Sequence, residues 1–496
     1  MKPSVYQQAI FDFIANENGS AVIEAVAGSG KTTTVVQSLN LIPKEKSVLM
    51  LAFNKSIADE LKSRVPAHVD VKTFNGLGHN ILGSRLGRLN LDSYKMRNIL
   101  KDTMDSFDYQ EFGDMVYQLT GYARRLGLLP SDIRGVPIIE DTKENWVKII
   151  DHFGMPIESF LFDIIISYSK KAIINSVNMA AEKKVIDFDD QIYIPAIKNM
   201  RGNSYDFIFV DEAQDVSPVR TKLIQLVLKE EGRVIAVGDS RQAIYGFTGS
   251  DAEAMNTLRN TFNAISLPLS ISYRCAKNIV NEAKKIIPEI EASDTANQGE
   301  VIRLDTFNHN TFNAGDMIIC RKNAPIVSLC FKLISNGIPA RVMGRDISSG
   351  LIKLIEKLKA KGLEGKHGLR EKLIAWETKE VAKWNNEDRP DMVETIKDKV
   401  SCIFAVLERT SVNTVPDLIR SIESMFSDDT TNTKAVTLSS IHKSKGLEAD
   451  TVYFLDVGII PLKSAKQKWQ LDQEYNLEYV GITRAKNKLI YINSPE

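Results

Sequence analysis

The chain has 496 residues, and its 63 basic side chains balance 63 acidic ones, so its formal charge at pH 7 is zero. Hydrophobic residues make up 43% of the chain and charged residues 25%, which is typical of a globular protein with a substantial core. This composition excludes long disordered, collagen-like and disulfide-scaffold proteins, and the length predicts about two to four globular units.

The cysteines and the N-terminal segment indicate the compartment. The 4 cysteines include no C-x-x-C pair, so the sequence indicates neither a zinc ribbon nor an iron–sulfur cluster, and such sparse usage is typical of a reducing compartment. The N-terminal segment lacks the pattern of a signal peptide, and no stretch approaches the ~20 apolar residues of a membrane span. We therefore expect a soluble, cytoplasmic protein that is not secreted and contacts no membrane. The balanced charge leaves nucleic acid open as a partner, because distant acidic surfaces can offset a basic groove.

Short apolar runs of strand length recur along the chain in two groups. The first group is Ala21–Ala25, Val48–Ala52, Phe207–Val210 and Val234–Val237, and the second is Met317–Cys320, Thr451–Leu455 and Leu489–Ile492. Runs without polar alternation are typical of strands buried on both faces of a parallel sheet. Helical patterns such as Lys55–Val65 and Pro218–Lys229 lie between them. The sequence therefore predicts an α/β fold with two parallel-sheet cores on either side of roughly residue 265.

Two long, mostly helical stretches interrupt this alternation, at residues 80–185 and 348–430. We predict a first sheet domain of residues 1–79 and 186–265, and a second of residues 266–347 and 431–496, each carrying one helical insertion. In Leu351–Leu358, apolar residues 351, 354, 355 and 358 share one helix face, and Lys353, Lys357 and Lys361 share another. The lysine face is either solvated or a contact for duplex DNA.

A glycine-rich loop follows the first predicted strand, with the sequence Ala25-Val-Ala-Gly-Ser-Gly-Lys31-Thr32. Glycines let successive backbone N–H groups surround phosphate oxygens, and the next helix points its positive N-terminus at them. The pattern predicts a phosphate-binding loop in which Lys31 reaches the β- and γ-phosphates and Thr32 binds Mg²⁺. The alternative is a plain Gly-Ser turn, which the intact Gly-Lys-Thr after a strand disfavours.

An acidic cluster, Asp211-Glu212-Ala-Gln-Asp215, follows the strand Phe207–Val210. A carboxylate at the C-terminal end of such a strand lies beside the phosphate loop. Asp211 is predicted to hold Mg²⁺, mainly through water, and Glu212 to orient or deprotonate the attacking water. On its own the cluster would read as a solvated loop, and the phosphate loop makes the catalytic interpretation the better one.

Together these segments resemble superfamily 1 DNA helicases of the UvrD/Rep type, with particular likeness to the core of the F-box DNA helicases and to compact phage or bacterial relatives. The segments that carry the resemblance follow in the family's order. They are Gln7–Ile10, the phosphate loop, Leu51–Ala58, Thr73–His79, Asp211–Asp215, Val237–Phe247, Tyr273–Arg274, Ile441–Glu448 and Tyr479–Ala485.

The resemblance implies two RecA-like P-loop NTPase domains, with ATP and Mg²⁺ bound in the cleft between them. It assigns catalysis to Lys31, Asp211, Glu212, Gln242, Arg274 and Arg484, the last two as arginine fingers from the second domain. It assigns ATP binding to Gln7, Ala27, Gly28, Ser29, Gly30, Lys31, Thr32, Thr33, Tyr273, Gly446 and Glu448, and Mg²⁺ to Thr32 and Asp211. Gln7 would recognise the adenine edge and Tyr273 would stack on its ring. Glu448 would contact the ribose, and Gln242 would connect the γ-phosphate to the DNA site.

The resemblance also implies a path for single-stranded DNA. Phe53, Tyr245 and Phe247 would stack on bases, while polar groups track phosphates. The remaining DNA-binding positions are Asn54, Thr73, Phe74, Asn75 and His442. A phenylalanine at a strand end is ordinarily a core residue, and this interpretation stays open for Phe53. Two positions depart from the family: Thr33 and Thr248 stand where many relatives have arginine.

The resemblance implies an ATP-dependent DNA helicase and translocase moving 3′→5′ on single-stranded DNA. Its partners would be single strands, junctions of single- and double-stranded DNA, and single-strand-binding or recombination proteins. We expect neither an F-box segment before the core nor a nuclease domain after it. Two alternatives remain open at this point: a translocase that mainly strips recombinase filaments from DNA, and a nucleotide-gated switch that binds nucleic acid without processive motion.

Overall fold

The structure is a computed structural model that describes residues 2–155, 157–244, 253–308, 311–386, 390–409, 412–425, 435–466 and 468–494. The chain divides into two compact units, residues 1–270 and residues 271–496. Among the described residues, none of the helices combines the length and the apolar character needed to cross a bilayer. All four cysteines are buried thiols.

The first unit contains a parallel sheet. The strands of this unit are β1 (Ala21–Ala25), β2 (Val48–Ala52), β3 (Val69–Thr73), β4 (Asn90–Leu91), β5 (Leu128–Leu129), β6 (Ile139–Glu140), β7 (Val185–Ile186), β8 (Tyr205–Val210), β9 (Leu228–Gly238) and β10 (Ile265–Leu269). The sheet has the order β10-β1-β9-β8-β2-β3, and every neighbouring pair is parallel. The remaining strands form the short pairs β4–β7 and β5–β6.

Helices of this unit cover both faces of the sheet or form the insertion. They are α1 (Val5–Asn16), α2 (Lys31–Leu39), α3 (Lys55–Lys62), α4 (Phe74–Leu86), α5 (Lys95–Thr103), α6 (Ser106–Leu126), α7 (Lys143–His152), α8 (Phe162–Lys183), α9 (Asp190–Ile197), α10 (Pro218–Val227) and α11 (Ala254–Thr261). Alternate strand residues enter separate cores, because side chains alternate across a sheet: Leu49 and Leu51 pack with the helices of one face, and Val48 and Met50 with those of the other.

The second unit repeats the parallel arrangement. Its strands are β11 (Ile271–Ser272), β12 (Glu291–Ala292), β13 (Glu300–Leu304), β14 (Met317–Cys320), β15 (Ala340–Val342), β16 (Val436–Ser440), β17 (Ala449–Leu455) and β18 (Ala485–Ile492). The main sheet has the order β13-β18-β17-β14-β16-β15 and is parallel throughout. Its helices are α12 (Lys277–Ala283), α13 (Asn323–Ser335), α14 (Arg345–Leu358), α15 (Leu369–Asn386), α16 (Pro390–Arg409), α17 (Val415–Met425) and α18 (Lys468–Ile482).

The predicted α/β fold with two parallel sheets is confirmed. Helices α5 to α8 lie within the stretch predicted as the first insertion, and α14 to α17 fall in the stretch that separates β15 from β16. The first unit extends beyond residue 265, because β10 pairs with β1 from Ile265 to Leu269. In α14 the residues Leu351, Leu354 and Ile355 are buried, whereas Lys353 and Lys357 are exposed, so the amphipathic pattern is present. Lys361 lies beyond the end of that helix.

Candidate nucleotide and DNA sites

The glycine-rich loop joins β1 directly to α2. Gly28 has φ +73° and Gly30 has φ +77°, a left-handed conformation that glycine adopts at little cost. Gly30 is the N-cap of α2 and provides no side-chain cap, so the first N–H groups of the helix are available to an anion. Among the described residues, the fully buried Ser29 Oγ has no hydrogen-bond partner. The loop therefore offers unsatisfied donors of the kind that bind phosphate.

Two carboxylates from the end of β8 meet the side chains that follow this loop. Thr32 Oγ1 donates to Asp211 Oδ2 over 3.2 Å, and Lys31 Nζ lies 3.4 Å from both oxygens of Glu212. The parallel arrangement brings them together, because the carboxyl ends of parallel strands meet at one edge of the sheet. Glu212 has φ +51°, a left-handed conformation that is unfavourable for a non-glycine residue and is often found at functional sites.

Two further side chains complete this group of contacts, and the sequence did not assign them. Gln214 Nε2 donates to Glu212 Oε2 over 2.5 Å, and Gln214 Oε1 accepts the backbone N–H of Asp239 over 3.0 Å. The carboxylate of Asp239 accepts from Gln242 Nε2 over 2.7 Å. Asp239 follows the end of β9, so its position after a buried strand is the signal that could have identified it. Gln242, predicted to be catalytic, thus lies one hydrogen bond from the acidic group.

The pKa values reflect the burial of this cluster. Burial raises the pKa of Asp211 to about 6, and the nearby negative charge of Glu212 adds to the rise while Lys31 opposes it. Burial also raises the pKa of Asp239. For Lys31, burial alone would lower the pKa, but attraction to Glu212, Asp239 and Asp211 outweighs it and the pKa is raised. Lys31 is therefore held as a cation at the loop.

The oxygen atoms of Thr32 and Asp211 fit a magnesium ion. Magnesium bound to a nucleotide commonly uses one or two protein oxygens together with phosphate oxygens and water. Within the described ranges, no group of three or more His, Cys, Asp or Glu side chains is arranged as a metal site. The hydroxyl and the carboxylate lie 3.2 Å apart, so both could face one small cation.

Gln7, predicted to recognise adenine, lies at the start of α1. Its side chain accepts from the Ser4 backbone N–H over 3.0 Å in a capping box, and its Nε2 donates to Thr34 Oγ1 over 3.1 Å. Gln7 therefore connects α1 to the helix that follows the phosphate loop. Ala27 is buried within that loop, and Thr33 is exposed on the first turn of α2. The assignment of these residues to ATP stays a prediction.

In the second unit, Glu448 lies between two cations. Arg274 Nε is 2.6 Å from Glu448 Oε2, and Lys486 Nζ is 2.6 Å from Glu448 Oε1. Burial raises the pKa of a carboxyl group, but here the hydrogen bond from Lys486 and the charge of Arg274 lower the pKa of Glu448 overall. Arg484 is only 1% exposed, and its Nε donates to the Val480 carbonyl over 3.0 Å. The structure thus joins Arg274 to Glu448 and holds Arg484 within the fold.

The other predicted nucleotide residues of this unit are open to solvent. Tyr273 is 41% exposed, so it is accessible to a ligand. Gly446 is exposed and has φ +87°, in the turn that precedes Glu448. Their roles at ATP stay predictions.

The predicted DNA residues of the first unit lie where β2 and β3 end. Phe53 is 39% exposed, and Asn54 caps α3 by accepting the Ile57 backbone N–H over 2.9 Å. Thr73 caps α4 in the same manner, accepting the Gly76 N–H over 3.0 Å. The exposed ring of Phe53 suits stacking on a base. Phe53 is therefore not the core residue that a phenylalanine at a strand end ordinarily is.

Phe74 and Asn75 begin α4 and differ sharply in their surroundings. Phe74 is 2% exposed and belongs to the hydrophobic core, so its ring offers no face to a base, which speaks against its assignment to DNA. Asn75 is half-buried, and its Nδ2 donates to the Phe188 carbonyl over 2.7 Å and to Gln191 Oε1 over 3.0 Å. Asn75 thereby connects α4 to the segment that begins α9.

A buried ion cluster fixes that segment. Lys95 Nζ of α5 is 2.5 Å from Asp190 Oδ2, and Arg124 Nη1 of α6 is 2.9 Å from Asp187 Oδ2. All four side chains are less than a tenth exposed. Arg124 Nη1 also lies 3.2 Å from Asp190 Oδ1, so the four charges form one network that holds α5 and α6 of the insertion to the residues around Phe188. The sequence analysis missed this cluster, although the acidic run Asp187–Asp190 was a signal for it.

His442 is half-buried and lies in the turn after β16. Burial lowers its pKa to about 3, and the positive charges of Arg321 and Lys443 act in the same direction. The imidazole is therefore neutral at pH 7, which suits a hydrogen bond to a phosphate better than an ion pair. Tyr245, Phe247 and Thr248 lie outside the described residues.

Comparison with known proteins gives matches over most of the chain. Residues 7–263 match the family described as the UvrD/REP helicase N-terminal domain, and residues 355–495 match the UvrD-like helicase C-terminal domain. F-box DNA helicase protein 1 of Schizosaccharomyces pombe is 24% identical over 525 aligned residues, which cover 98% of this chain and 56% of the relative.

Two bacterial relatives extend this result. The probable DNA helicase II homolog of Mycoplasma genitalium is 21% identical over 95% of this chain and 82% of its own length. ATP-dependent DNA helicase PcrA of Staphylococcus epidermidis is 24% identical over 55% of this chain and 38% of its own length. The chain spans about half the length of the F-box relatives, whose shares are 56% and 49%.

Proposed function

This chain belongs to the UvrD/REP helicase family, and on that premise we propose that it is an ATP-dependent DNA helicase and translocase that moves 3′→5′ on single-stranded DNA. The names of its relatives, which include F-box DNA helicases and an ATP-dependent DNA helicase, support an activity of this class. Its substrates would be single strands and junctions of single- and double-stranded DNA. Single-strand-binding or recombination proteins are further candidate partners.

The observation that carries this proposal is the double pairing of Lys31 with Glu212 and of Thr32 with Asp211. These contacts join residues 181 and 179 positions apart in the chain. A cation beside a glycine-rich loop, facing a carboxylate that sits in a left-handed conformation, provides what phosphoryl transfer requires of a protein: charge, position and a base. A plain Gly-Ser turn would require none of this long-range pairing.

Each residue then has a step in hydrolysis. Backbone N–H groups of the loop and Lys31 would hold the β- and γ-phosphates, and Lys31 would exchange its contact with Glu212 for one with phosphate. Magnesium, held by Thr32 and Asp211, would supply positive charge to the phosphates. Glu212, released from Lys31, would orient the attacking water and accept its proton.

Side chains of both units would complete the reaction in this proposal. Arg274 and Arg484 would neutralise charge that develops as the γ-phosphate leaves, and Gln242 would connect the γ-phosphate to the DNA site. Tyr273 would stack on adenine, Gln7 would contact its edge, and Glu448 would contact the ribose. Since Arg274 is paired with Glu448 in this structure at 2.6 Å, the ribose contact would also free the arginine.

Movement on DNA would follow from alternating grip. Phe53, together with Tyr245 and Phe247, would stack on bases, because every base presents a π face whatever the sequence. Thr73, Asn75, Asn54 and His442 would contact the backbone. ATP binding and product release would then favour different grips in turn, which moves the protein along the strand.

The test measures ATP hydrolysis with and without single-stranded DNA, followed by unwinding of duplexes that carry a 3′ or a 5′ tail. We expect DNA to stimulate hydrolysis and the 3′-tailed duplex to be opened. Opening of the 5′-tailed duplex alone would refute the polarity. Disassembly of a recombinase filament without strand separation would support the stripping translocase instead, and ATPase indifferent to DNA would support the nucleotide-gated switch.

A further inference from the structure

Arg220 contacts residues of both candidate sites, Phe53 of the DNA site and the acidic turn of the nucleotide site, and so offers a connection in addition to Gln242. It lies near the start of α10 and is half-buried. Its Nη1 donates to the backbone carbonyl of Asp215 over 3.1 Å, at the end of the acidic turn. Its guanidinium carbon lies 5.2 Å from the centroid of the Phe53 ring and 5.3 Å from that of Phe74. A cation over an aromatic face is attracted by the ring quadrupole, so both contacts are favourable.

The two rings differ in their exposure to a ligand. Phe74 is 2% exposed and fixed in the core, whereas Phe53 is 39% exposed and open to a ligand. A base that stacks on the free face of Phe53 would restrict its ring, and the guanidinium on the same ring would be restricted with it. Phe74 gives Arg220 a fixed support, so a change at Phe53 would move the guanidinium relative to that support.

On its other side, Arg220 reaches the backbone that positions Glu212. The N–H of Asp215 donates to the Glu212 carbonyl over 3.0 Å, which closes the turn between them. Gln214 of the same turn donates to the Glu212 carboxylate over 2.5 Å. Because Glu212 is held at φ +51° by this turn, a shift of the Asp215 peptide changes the position of the carboxylate.

We propose that Arg220 is a positioning residue that links base stacking on Phe53 to the placement of Glu212 for hydrolysis. This inference rests on the proposed function and adds to it a path, within the first unit, from DNA to the ATPase. Arginine suits the role because its planar group stacks on rings and donates hydrogen bonds at once, which an ammonium cannot do equally well.

The experiment compares Arg220→Gln and Arg220→Lys with the unaltered protein, measuring ATPase as a function of oligo-dT concentration. We expect the maximal stimulation by oligo-dT to fall about tenfold in Arg220→Gln, within the range that coupling residues produce. Arg220→Lys keeps the charge and a donor for the Asp215 carbonyl, so it should recover part of the stimulation. If Arg220→Gln proves too unstable to assay, Arg220→Lys takes its place in the comparison, and its stimulation should lie below that of the unaltered protein.

Arg233 provides a matched control in the same unit. Its guanidinium lies 5.0 Å from the Phe13 ring and 5.1 Å from the Phe207 ring, and it donates to the Ile14 carbonyl over 2.9 Å. Arg233→Gln removes the same kind of packing between two phenylalanine rings, so it should lower the melting temperature. The stimulation by oligo-dT should nevertheless stay within twofold of that of the unaltered protein.

A double-mutant cycle with Phe53→Ala measures whether the two substitutions act independently on the stimulation by oligo-dT. A general loss of packing at Arg220 would not make the two effects depend on each other. If Arg220 acts through Phe53, Phe53→Ala should reduce stimulation in the unaltered protein and add little in Arg220→Gln. Full stimulation in Arg220→Gln, or independent effects in the cycle, would overturn the inference and leave the proposed function standing. An unaltered protein without any stimulation by oligo-dT would overturn both.

Discussion

Lys31 and Glu212 are a charged pair that the phosphate of a nucleotide would separate. Each provides the other's counter-charge at 3.4 Å, and the pKa of Lys31 is raised mainly by Glu212 once burial is outweighed. Before a nucleotide arrives, this pair compensates the charges in a poorly solvated site. After it arrives, the lysine has phosphate and the glutamate is available as a base.

We predict that Glu212→Gln binds ATP but loses turnover by about 10²–10⁴-fold, because the amide keeps the shape and cannot accept the proton of water. Lys31→Ala should abolish hydrolysis, since the phosphates lose their cation. Steady-state ATPase and equilibrium binding of a fluorescent ATP analogue measure the two effects separately. Glu60→Gln on the exposed face of α3 is the control and should leave both unchanged. Turnover retained in Glu212→Gln would refute its role as base.

His442 predicts a dependence of stability on pH. Its pKa is about 3 in the folded chain, because of burial and then of Arg321 and Lys443, whereas an unfolded histidine has a pKa near 6.5. Between these values the unfolded chain binds a proton that the folded chain does not, so stability is lost as the pH falls below about 6.5. Each pH unit costs at most about 1.4 kcal/mol.

We therefore expect the melting temperature to drop further between pH 7.5 and pH 5.5 in the unaltered protein than in His442→Gln. The difference should correspond to about 1 kcal/mol, since glutamine has no proton to gain over this range. Scanning calorimetry at both pH values measures it. Equal drops in the two proteins would show that His442 titrates normally in the folded chain.

At the scale of elements, α4 and α9 pack unusually closely. A Cβ added to Gly78 of α4 would lie 1.9 Å from the Gln191 carbonyl oxygen, whereas one added to Gly83 of the same helix meets nothing within 4 Å. Gly78 is thus required by the contact between backbones, while Gly83 only weakens its helix. This packing also positions Gln191 against Asn75, at 3.0 Å.

We predict opposite effects of two identical substitutions in α4. Gly78→Ala should destabilise the protein by about 3 kcal/mol, because two backbones must separate. Gly83→Ala should stabilise it by about 0.5–1 kcal/mol, because alanine favours the helix. Denaturant midpoints of the two variants, measured under the same conditions, test the pair. A neutral Gly78→Ala would mean that α4 and α9 are not held as closely as the structure has them.

The elements also differ in how well their sequences predict them. Strands β1, β2 and β14 have the predicted bounds, because each is a mainly apolar run with a neighbouring strand on both sides, and only β1 contains a charged residue, Glu24. Strands β3 and β10, at the edges of the first sheet, were not predicted. Only Val69 and Val71 of β3 are buried, and β10 contains Pro268 and is largely exposed, so neither has the continuous apolar pattern.

The candidate site also contains residues that the sequence predicts and contacts that it does not. Lys31, Thr32, Asp211 and Glu212 could be predicted because each lies in a short motif next to a buried strand. The contacts of Gln214 and Asp239 and the position of Arg220 depend on strands and helices that are distant in the chain. Sequence spacing contains no direct information on such contacts, and only the order of strands in the sheet creates them.

At the scale of the whole molecule, the two parallel sheets are similar, but the helix after β1 and the helix after β14 begin differently. In the first unit α2 begins at a glycine without a side-chain cap. In the second, the N-terminus of α13 is occupied by a carboxylate: Asp398 of α16 accepts the backbone N–H of Asn323 over 3.2 Å and of Ala324 over 3.0 Å. A helix N-terminus attracts one anion, and here the chain itself provides it. This difference favours the first unit as the one that binds phosphate.

The second unit would then act through side chains, and Arg274 provides the test. Its removal leaves Glu448 paired with Lys486 at 2.6 Å, so Arg274→Ala creates no carboxylate without a partner and should fold normally. We predict that Arg274→Ala binds ATP within a few-fold of the unaltered protein, while turnover in the presence of single-stranded DNA falls about 10³-fold, as the loss of an arginine finger does.

Arg303→Ala is the matched control, because this arginine of the same unit is 65% exposed and stacks on Tyr491 at 4.2 Å. It should hydrolyse ATP normally. Binding of a fluorescent ATP analogue and DNA-stimulated turnover, measured on both variants, separate affinity from chemistry. If Arg274→Ala turned over at the rate of Arg303→Ala, the second unit would contribute no charge from this position to phosphoryl transfer. The first unit would then have to stabilise the leaving phosphate without Arg274, and a motor driven by that guanidinium would be excluded.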